Sequence, residues 1–245
     1  MPVSLLNKLH QFLALSRDEQ QAVQFLPSRI RMVDRHEDIV PEGDWHDHVG
    51  LISEGFACRY KLLKSGRRQI IAFLIPGDMC DLRALLVHRM DHRVAALSRC
   101  RIAVIPHHRL LEAIEKHPRL ALALWCDTMF DAAIYREWLT NLGGRMAYER
   151  LAHLLCEIGF RLKRAGHAPG TSYDLPVTQA DIGDALGLSV VHVNRTLKRL
   201  RMDGLVEMHN NVVTVLDWSR LQEAAEFDPA YMQVGRFHAS PMPAL

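Results

Sequence analysis

Residues 177–207 read VTQADIGDALGLSVVHVNRTLKRLRMDGLVE, and their spacing predicts two short helices joined by a tight turn. Thr178 is placed to cap a helix beginning at Gln179, and Asp181 suits that helix's positive N-terminal end. Ile182, Ala185 and Leu186 give it an apolar face. Gly183 lets a following helix approach closely, and Gly187 stands where the turn needs a left-handed residue. Ser189 can cap the second helix, whose apolar face is Val193, Leu197 and Leu200.

The opposite face of that second helix carries His192, Asn194, Arg195, Lys198, Arg199 and Arg201, and no acid occurs between Asp184 and Asp203. A DNA major groove admits such a helix with its N-terminal residues toward the base edges. Arg195 can offer a guanine its fork of donors, while Lys198 and Arg199 suit phosphates. Thr178, Gln179, Ser189, Val190, Val191 and His192 complete the expected DNA-facing set, with the two valines placed for thymine methyls. Residues 205–209, the turn Asn210-Asn211 and residues 212–216 then read as a β-hairpin, the wing of a winged helix-turn-helix. The alternative is a solvated basic helix in an ordinary bundle. Glycines, caps, apolar face and wing in this one order argue against it.

Around this segment the composition is ordinary. The chain has 245 residues, 49% apolar and 24% charged, with a formal charge of +2. That excludes a disordered tail, a coiled-coil rod and a disulfide-stapled miniprotein. Charge implies no partner globally; from residue 145 onward 11 basic residues face 11 acidic ones, so a nucleic-acid surface has to be local. Cys58, Cys80, Cys100, Cys126 and Cys156 are scattered without a CxxC pair, which points to a reducing, cytoplasmic setting. Cys58, Cys100 and Cys126 read as small core residues, and Cys80, beside a turn, as the thiol to test for redox chemistry. The N-terminal stretch PVSLLNKLHQFLALSRDEQ reads as one amphipathic helix rather than a signal peptide, and no run is apolar enough for a membrane span.

Upstream of the basic helix three regimes follow one another. Residues 27–106 show short apolar runs between turns, among them VGLISEGFACRYKLL, RRQIIAFLIPGDMC and RVAALSRCRIAVIPH, as in an antiparallel sandwich or barrel; LRALLVHRM between them suits one short helix. Residues 107–117 form a short helix, and Pro118 opens a long one. In it Leu120, Leu124, Met129, Ile134, Trp138 and Leu142 follow helical spacing, while Ala121, Leu122, Trp125, Ala132 and Ala133 add a second apolar side. Packing within its own domain and packing against a partner subunit are equally consistent with that periodicity. Gly143-Gly144 then suit a break and hinge. From residue 145 an amphipathic helix carries Leu151, Leu154, Leu155, Ile158 and Leu162, and HAPGTSYDLP connects it to the segment quoted first.

The helix-turn-helix closely resembles that of the Crp/Fnr transcription regulators, and EGFACRYKLLKSGRRQIIAFLIPGDMCDL resembles that family's sensor domain. The order of β-rich domain, long helix, hinge and winged helix matches over nearly the whole chain. The resemblance implies an α+β fold: a double-stranded β-helix (jelly-roll) sensor over residues 1–117, a dimerisation helix and glycine hinge over 118–144, a DNA-binding domain over 145–225 and a tail over 226–245. It implies a homodimer on a roughly palindromic operator, with Leu124, Met129, Ile134 and Trp138 at or near the subunit interface, and double-stranded DNA and RNA polymerase as partners. No enzymatic activity and no cofactor are implied.

The departures bear on specificity. Many members carry glutamate at the position of Val191, some carry arginine at Val190, and the Fnr-like branch has serine at Asn194; Arg195 is retained. In the sensor, the glycine-glutamate pair that holds a cyclic nucleotide's ribose is matched by Cys80-Asp81, followed by Leu82. The arginine-serine pair for its phosphate is matched by Arg93-Val94. Asp81 is shorter than glutamate and Val94 lacks a hydroxyl, so the effector is expected not to be cyclic AMP. The Fnr-like cysteine group for an iron–sulfur cluster is missing, and no histidine spacing identifies a haem ligand. His88 and His92, with Asp91, form a candidate metal pair. A rival reading, a cupin-like jelly-roll metalloenzyme, would use His46, His48 and Glu54.

Overall fold

The computed structural model describes residues 3–87, 89–168 and 170–232. Two N-terminal helices, α1 (Val3–Phe12) and α2 (Arg17–Phe25), precede seven strands: β1 (Arg29–Val33), β2 (Asp38–Val40), β3 (His48–Glu54), β4 (Ala57–Leu62), β5 (Arg68–Leu74), β6 (Arg93–Ala96) and β7 (Cys100–Pro106). They form two antiparallel sheets, ordered β1-β7-β3 and β2-β6-β4-β5. Val33, Ile39, Ile52, Leu74, Val94 and Ile102 interdigitate between them as the core of the roll. This is an antiparallel sandwich of the kind that the short apolar runs predict, and the jelly-roll that the family resemblance implies.

Helix α3 (His107–Lys116) leads into the long α4 (Pro118–Gly144), followed by α5 (Ala147–Arg164), β8 (Ser172–Asp174), α6 (Gln179–Leu186), α7 (Val190–Met202), β9 (Val206–His209), β10 (Val212–Val215) and α8 (Trp218–Ala225). Strands β8, β10 and β9 make a small third sheet. Among the described residues no helix is long and apolar enough to cross a membrane.

A buried network of charges joins the parts. Lys8 on α1 lies 2.8 Å from Asp78, in the turn after β5, and 2.6 Å from Asp127 on α4. Asp78 also takes the Arg161 guanidinium of α5 at 2.6 Å. Arg161 reaches on to Glu157 at 3.3 Å, and Glu157 accepts the Trp138 indole N–H of α4 at 2.9 Å. Each charge is partnered, which is what makes its burial tolerable.

Several expectations change in detail. The N-terminal stretch is two helices, because Ser16 accepts from the Glu19 amide while the Glu19 carboxylate accepts from the Ser16 amide; this reciprocal cap starts a new helix. Where one short helix is expected after Asp81, the described residues form a 3₁₀ turn, Leu82–Leu85. Gly143 and Gly144 complete the last turn of α4 rather than breaking it. The break falls at Arg145, whose backbone is extended and whose guanidinium reaches back to Glu137 at 2.6 Å and Asn141 at 2.8 Å. The connection after α5 contributes β8, which pairs with β10. Of the expected tail, residues 226–232 are packed, with the Phe227 and Tyr231 rings against buried His153 and Met232 buried, and residues 233–245 lie outside the described residues.

Candidate nucleic-acid interface

Helices α6 and α7 meet as their sequence predicts. Thr178 caps α6 by accepting from the Asp181 amide, and the Asp181 carboxylate accepts from the Thr178 amide at 2.8 Å. Burial works against the Asp181 charge, but Thr178 and the Arg68 guanidinium hold its carboxyl below the usual range. Gly187 ends α6 at φ +68°, a conformation that favours glycine. A Cβ at Gly183 would stand 2.5 Å from the Leu188 carbonyl oxygen, so only glycine lets the inter-helix turn close. Ser189 caps α7 through the His192 amide at 3.2 Å, and Val193, Leu197 and Leu200 are buried.

The outer face of α7 is open. Val190, Val191, Asn194, Arg195, Lys198 and Arg199 are exposed and His192 is half-buried. Arg195 and Lys198 make no hydrogen bond or ion pair among the described residues, so both are available to an external anion or base edge. Asn194 donates to Gln179 at 3.3 Å, linking the two helices across the turn. Thr178 spends its hydroxyl on Asp181 and Ser189 its own on the α7 cap, so both position the helices. Arg199 differs from its neighbours: its guanidinium lies 4.6 Å above the Tyr148 ring and 4.0 Å from Asp203. Tyr148 in turn donates to Asp203 at 2.6 Å, and burial together with that carboxylate pushes its phenol up to about 12. Sequence spacing did not single out Tyr148, which lies over 50 positions from its partners. The wing turn has both Asn210 and Asn211 in left-handed conformation, at φ +49° and +65°.

Between the roll and α4 lies a groove of about 870 Å³. Of the expected effector residues, Asp81 and Leu82 line it, whereas Cys80, Arg93 and Val94 do not. Asp81 caps the 3₁₀ turn by accepting from the Arg83 amide at 2.9 Å. Arg93 pairs across from Tyr60 in the β4–β6 register and gives its guanidinium to Asp38 at 3.0 Å. The cavity instead holds Arg59, which is 6% exposed. Arg59 has a readable signal: alternation along β4 puts it on the same side as Ala57, where an apolar residue is expected.

The same groove runs along α4, and here the helix faces differ from the sequence reading. Leu124, Ile134 and Trp138 are buried against their own protomer, and Met129 is exposed. Along the open groove Ala121, Trp125, Thr128, Ala132, Tyr135, Leu139 and Leu142 follow alternating spacings of four and three, while Leu124, Asp127, Asp131 and Trp138 of the same helix reach the groove from its inner side.

The metal and redox alternatives do not assemble. The His46 and His48 rings are 5.6 Å apart, but Glu54 stands at the far end of β3, roughly 20 Å along the strand from His48, and is held by Arg101 at 3.0 Å. His88 lies outside the described residues, and His92 is bonded to Asp91 at 2.8 Å. No group of three or more histidine, cysteine or acidic side chains suited to a metal ion occurs among the described residues. Cys80 is buried and its thiol is pushed up to about 12 by that burial, despite the nearby Arg59, so it is not a reactive thiolate. Cys126 is half-buried rather than a core residue.

Comparison with known proteins agrees with this architecture. Residues 30–117 match the cyclic nucleotide-binding domain family, and residues 149–224 match the Crp-like helix-turn-helix domain. The chain is 30% identical over 195 residues to the transcriptional activator protein FnrL of Cereibacter sphaeroides, covering 78% of this chain and 77% of that one. It is 31% identical over 175 residues to the nitrogen fixation regulation protein FixK of Bradyrhizobium diazoefficiens, covering 71% and 72%. The structure of FixK2 from Bradyrhizobium japonicum superposes with a TM-score of 0.73 at 27% identity, over 80% of this chain and 96% of that one. With the roll, the long helix and the winged helix-turn-helix all in place, the chain belongs to the Crp/Fnr family of transcription regulators.

Proposed function

We propose that the protein acts as a homodimer that places two copies of α7 in successive major grooves of a palindromic operator, without control by cyclic AMP. The observation that carries this reading is the exposed face of α7, where Arg195 and Lys198 have no partner within the described residues. The open face of α4 supports the dimer. The series Ala121, Trp125, Thr128, Ala132, Tyr135, Leu139 and Leu142 among its groove-lining residues follows the 3.5-residue repeat of a helix pair, and Trp125 and Leu139 on it are 62% and 71% exposed. Residues 1–117 serve as sensor, 118–144 as the pairing helix and 145–225 as the DNA-binding unit. A regulator acting on the chromosome and on RNA polymerase works in the cytoplasm. Against cyclic AMP stand the short side chain of Asp81, spent on the cap of the 3₁₀ turn, and the commitment of Arg93 to Asp38 outside the cavity.

Genome-wide mapping of bound sites, followed by titration of one site and a scrambled duplex, tests the reading. Arg195→Ala is expected to lose about 1–3 kcal/mol per half-site and to relax preference at one base pair. Lys198→Ala should weaken specific and scrambled DNA alike and flatten the salt dependence. Unchanged specific binding by Arg195→Ala would overturn the assignment of α7.

A further inference from the structure

The inward face of β4 brings Ala57 opposite Ala96 and Arg59 opposite Val94, so the Arg59 side chain enters a wall that is otherwise apolar. Its guanidinium ends at the cavity beneath α4. Nε donates to the Cys80 carbonyl and Nη2 to the Met79 carbonyl, each at 2.8 Å. Nη1 donates to the Asp131 carboxylate and to the Tyr135 hydroxyl, again at 2.8 Å each. All but one of the N–H donors of the fork are thereby used. Two of the acceptors belong to the segment that leads into the 3₁₀ turn, and two stand one turn apart on α4. A single side chain therefore ties β4, the cavity loop and α4 together.

We infer that Arg59 is the resident occupant of the sensor cavity: its guanidinium makes, from within the chain, the bridge between roll and α4 that a ligand lodged there would have to make. Two consequences follow from the same geometry. The cation is already neutralised by Asp131, while Asp81 and Asp127 also line the cavity, so an anionic ligand meets carboxylates and no unpaired positive charge. Burial disfavours the Arg59 charge, but Asp131 and its other neighbours more than compensate and keep it protonated. Tyr135, one of its partners, lies on the open face of α4 beside Ala132 and Leu139. The bridge thus sets the shape of the pairing surface and holds it ready without a small molecule. This second consequence rests on α4 being the subunit interface.

The test is substitution with chemical rescue. Arg59→Ala removes the fork and leaves the Met79 and Cys80 carbonyls, Asp131 and Tyr135 around a space shaped for a guanidinium. Operator affinity and dimer fraction, by fluorescence anisotropy and sedimentation, are expected to fall about tenfold, because removing the fork strands the half-buried Asp131 carboxylate and unties β4 and the cavity loop from α4. Low-millimolar methylguanidinium should restore both, and methylammonium at equal concentration should not. The unsubstituted protein should respond to neither cation, nor to cyclic AMP or cyclic GMP. Operator binding and dimerisation unchanged in folded Arg59→Ala, or a loss that methylguanidinium does not reverse, overturns the proposal. Where Arg59→Ala does not fold, Arg59→Lys keeps the charge but cannot span the four acceptors; wild-type affinity and dimer fraction in that variant overturn it equally. The control is Leu139→Glu, on the open face of α4 and not among the hydrogen-bond partners of Arg59. If the unsubstituted protein is already a monomer, the dimer reading fails; if both it and Leu139→Glu are dimers, the assignment of this face fails; if Leu139→Glu yields monomer while the Arg59 variants behave as wild type, the occupant proposal alone fails.

Discussion

A methyl group added at Gly183 would meet the Leu188 carbonyl oxygen at 2.5 Å, and a backbone atom cannot swing aside as a flexible side chain can. Gly183→Ala is therefore expected to destabilise the DNA-binding unit by about 1–3 kcal/mol, read as a lower urea midpoint. Gly143 is the opposite case: it is helical, and a Cβ there has nothing within 4 Å. Gly143→Ala should raise stability by about 0.5–1 kcal/mol through backbone entropy. Thr178, Gly183, Gly187 and Ser189 could be read from the sequence because caps and left-handed turns depend on a few neighbouring residues. Arg59 and Tyr148 could not be assigned roles that way. The acceptors of Arg59 lie 20 or more positions away, and the partners of Tyr148 over 50, so only the closed chain brings them together.

Helix α4 shows what periodicity leaves open. Both of its sides are apolar, so spacing alone does not say which one the protomer keeps for itself. Leu120, Leu124, Phe130, Ile134 and Trp138 pack inward, while Trp125 and Leu139 remain on the open groove. The two faces predict different failures for the same chemical change. Leu139→Glu puts a charge into the proposed pairing surface, which disfavours association yet leaves the isolated chain solvated and folded; light scattering should show monomer with a near-native thermal transition. Ile134 is 3% exposed, so Ile134→Glu buries an unpaired carboxylate inside one protomer and should depress the melting temperature strongly. Equal behaviour of the two variants would mean that the faces are misassigned. The α7 stripe was easier to read, because one side is apolar and the other basic with no acid between Asp184 and Asp203.

Two charged contacts connect distant parts of the molecule, and each has its own signature. Burial would raise the Asp78 carboxyl, but Lys8, Arg161 and the Ile75 amide hold it down at about 2, below its ordinary 3.8. A depressed acid stabilises the fold while ionised, so this contribution is complete above about pH 4 and is lost as pH falls toward 2; its size is about 2 kcal/mol. Asp78→Asn should lower stability at pH 7 and flatten the acid limb of a stability–pH curve between those values. The second contact braces the winged helix-turn-helix against β5, the edge strand of the four-stranded sheet of the roll. Arg68 on β5 pairs with Asp181 and, at 2.7 Å, with Asp184; Gln69 donates to the Asp184 carbonyl at 2.7 Å, near the end of α6 where carbonyls lack helical partners. Asp181 serves twice, since the carboxylate that caps α6 also receives Arg68. The Arg68 side chain is 25% exposed, so solvent screens the pair and its loss should not unfold the chain. What should change is the coupling between units. In Arg68→Ala, amide exchange across residues 179–202 is expected to quicken while the roll keeps its protection, and thermal unfolding should separate into two transitions. Unaltered protection in α6 and α7 would mean that the recognition helix is held by α5 and the wing alone, with the sensor sheet merely adjacent.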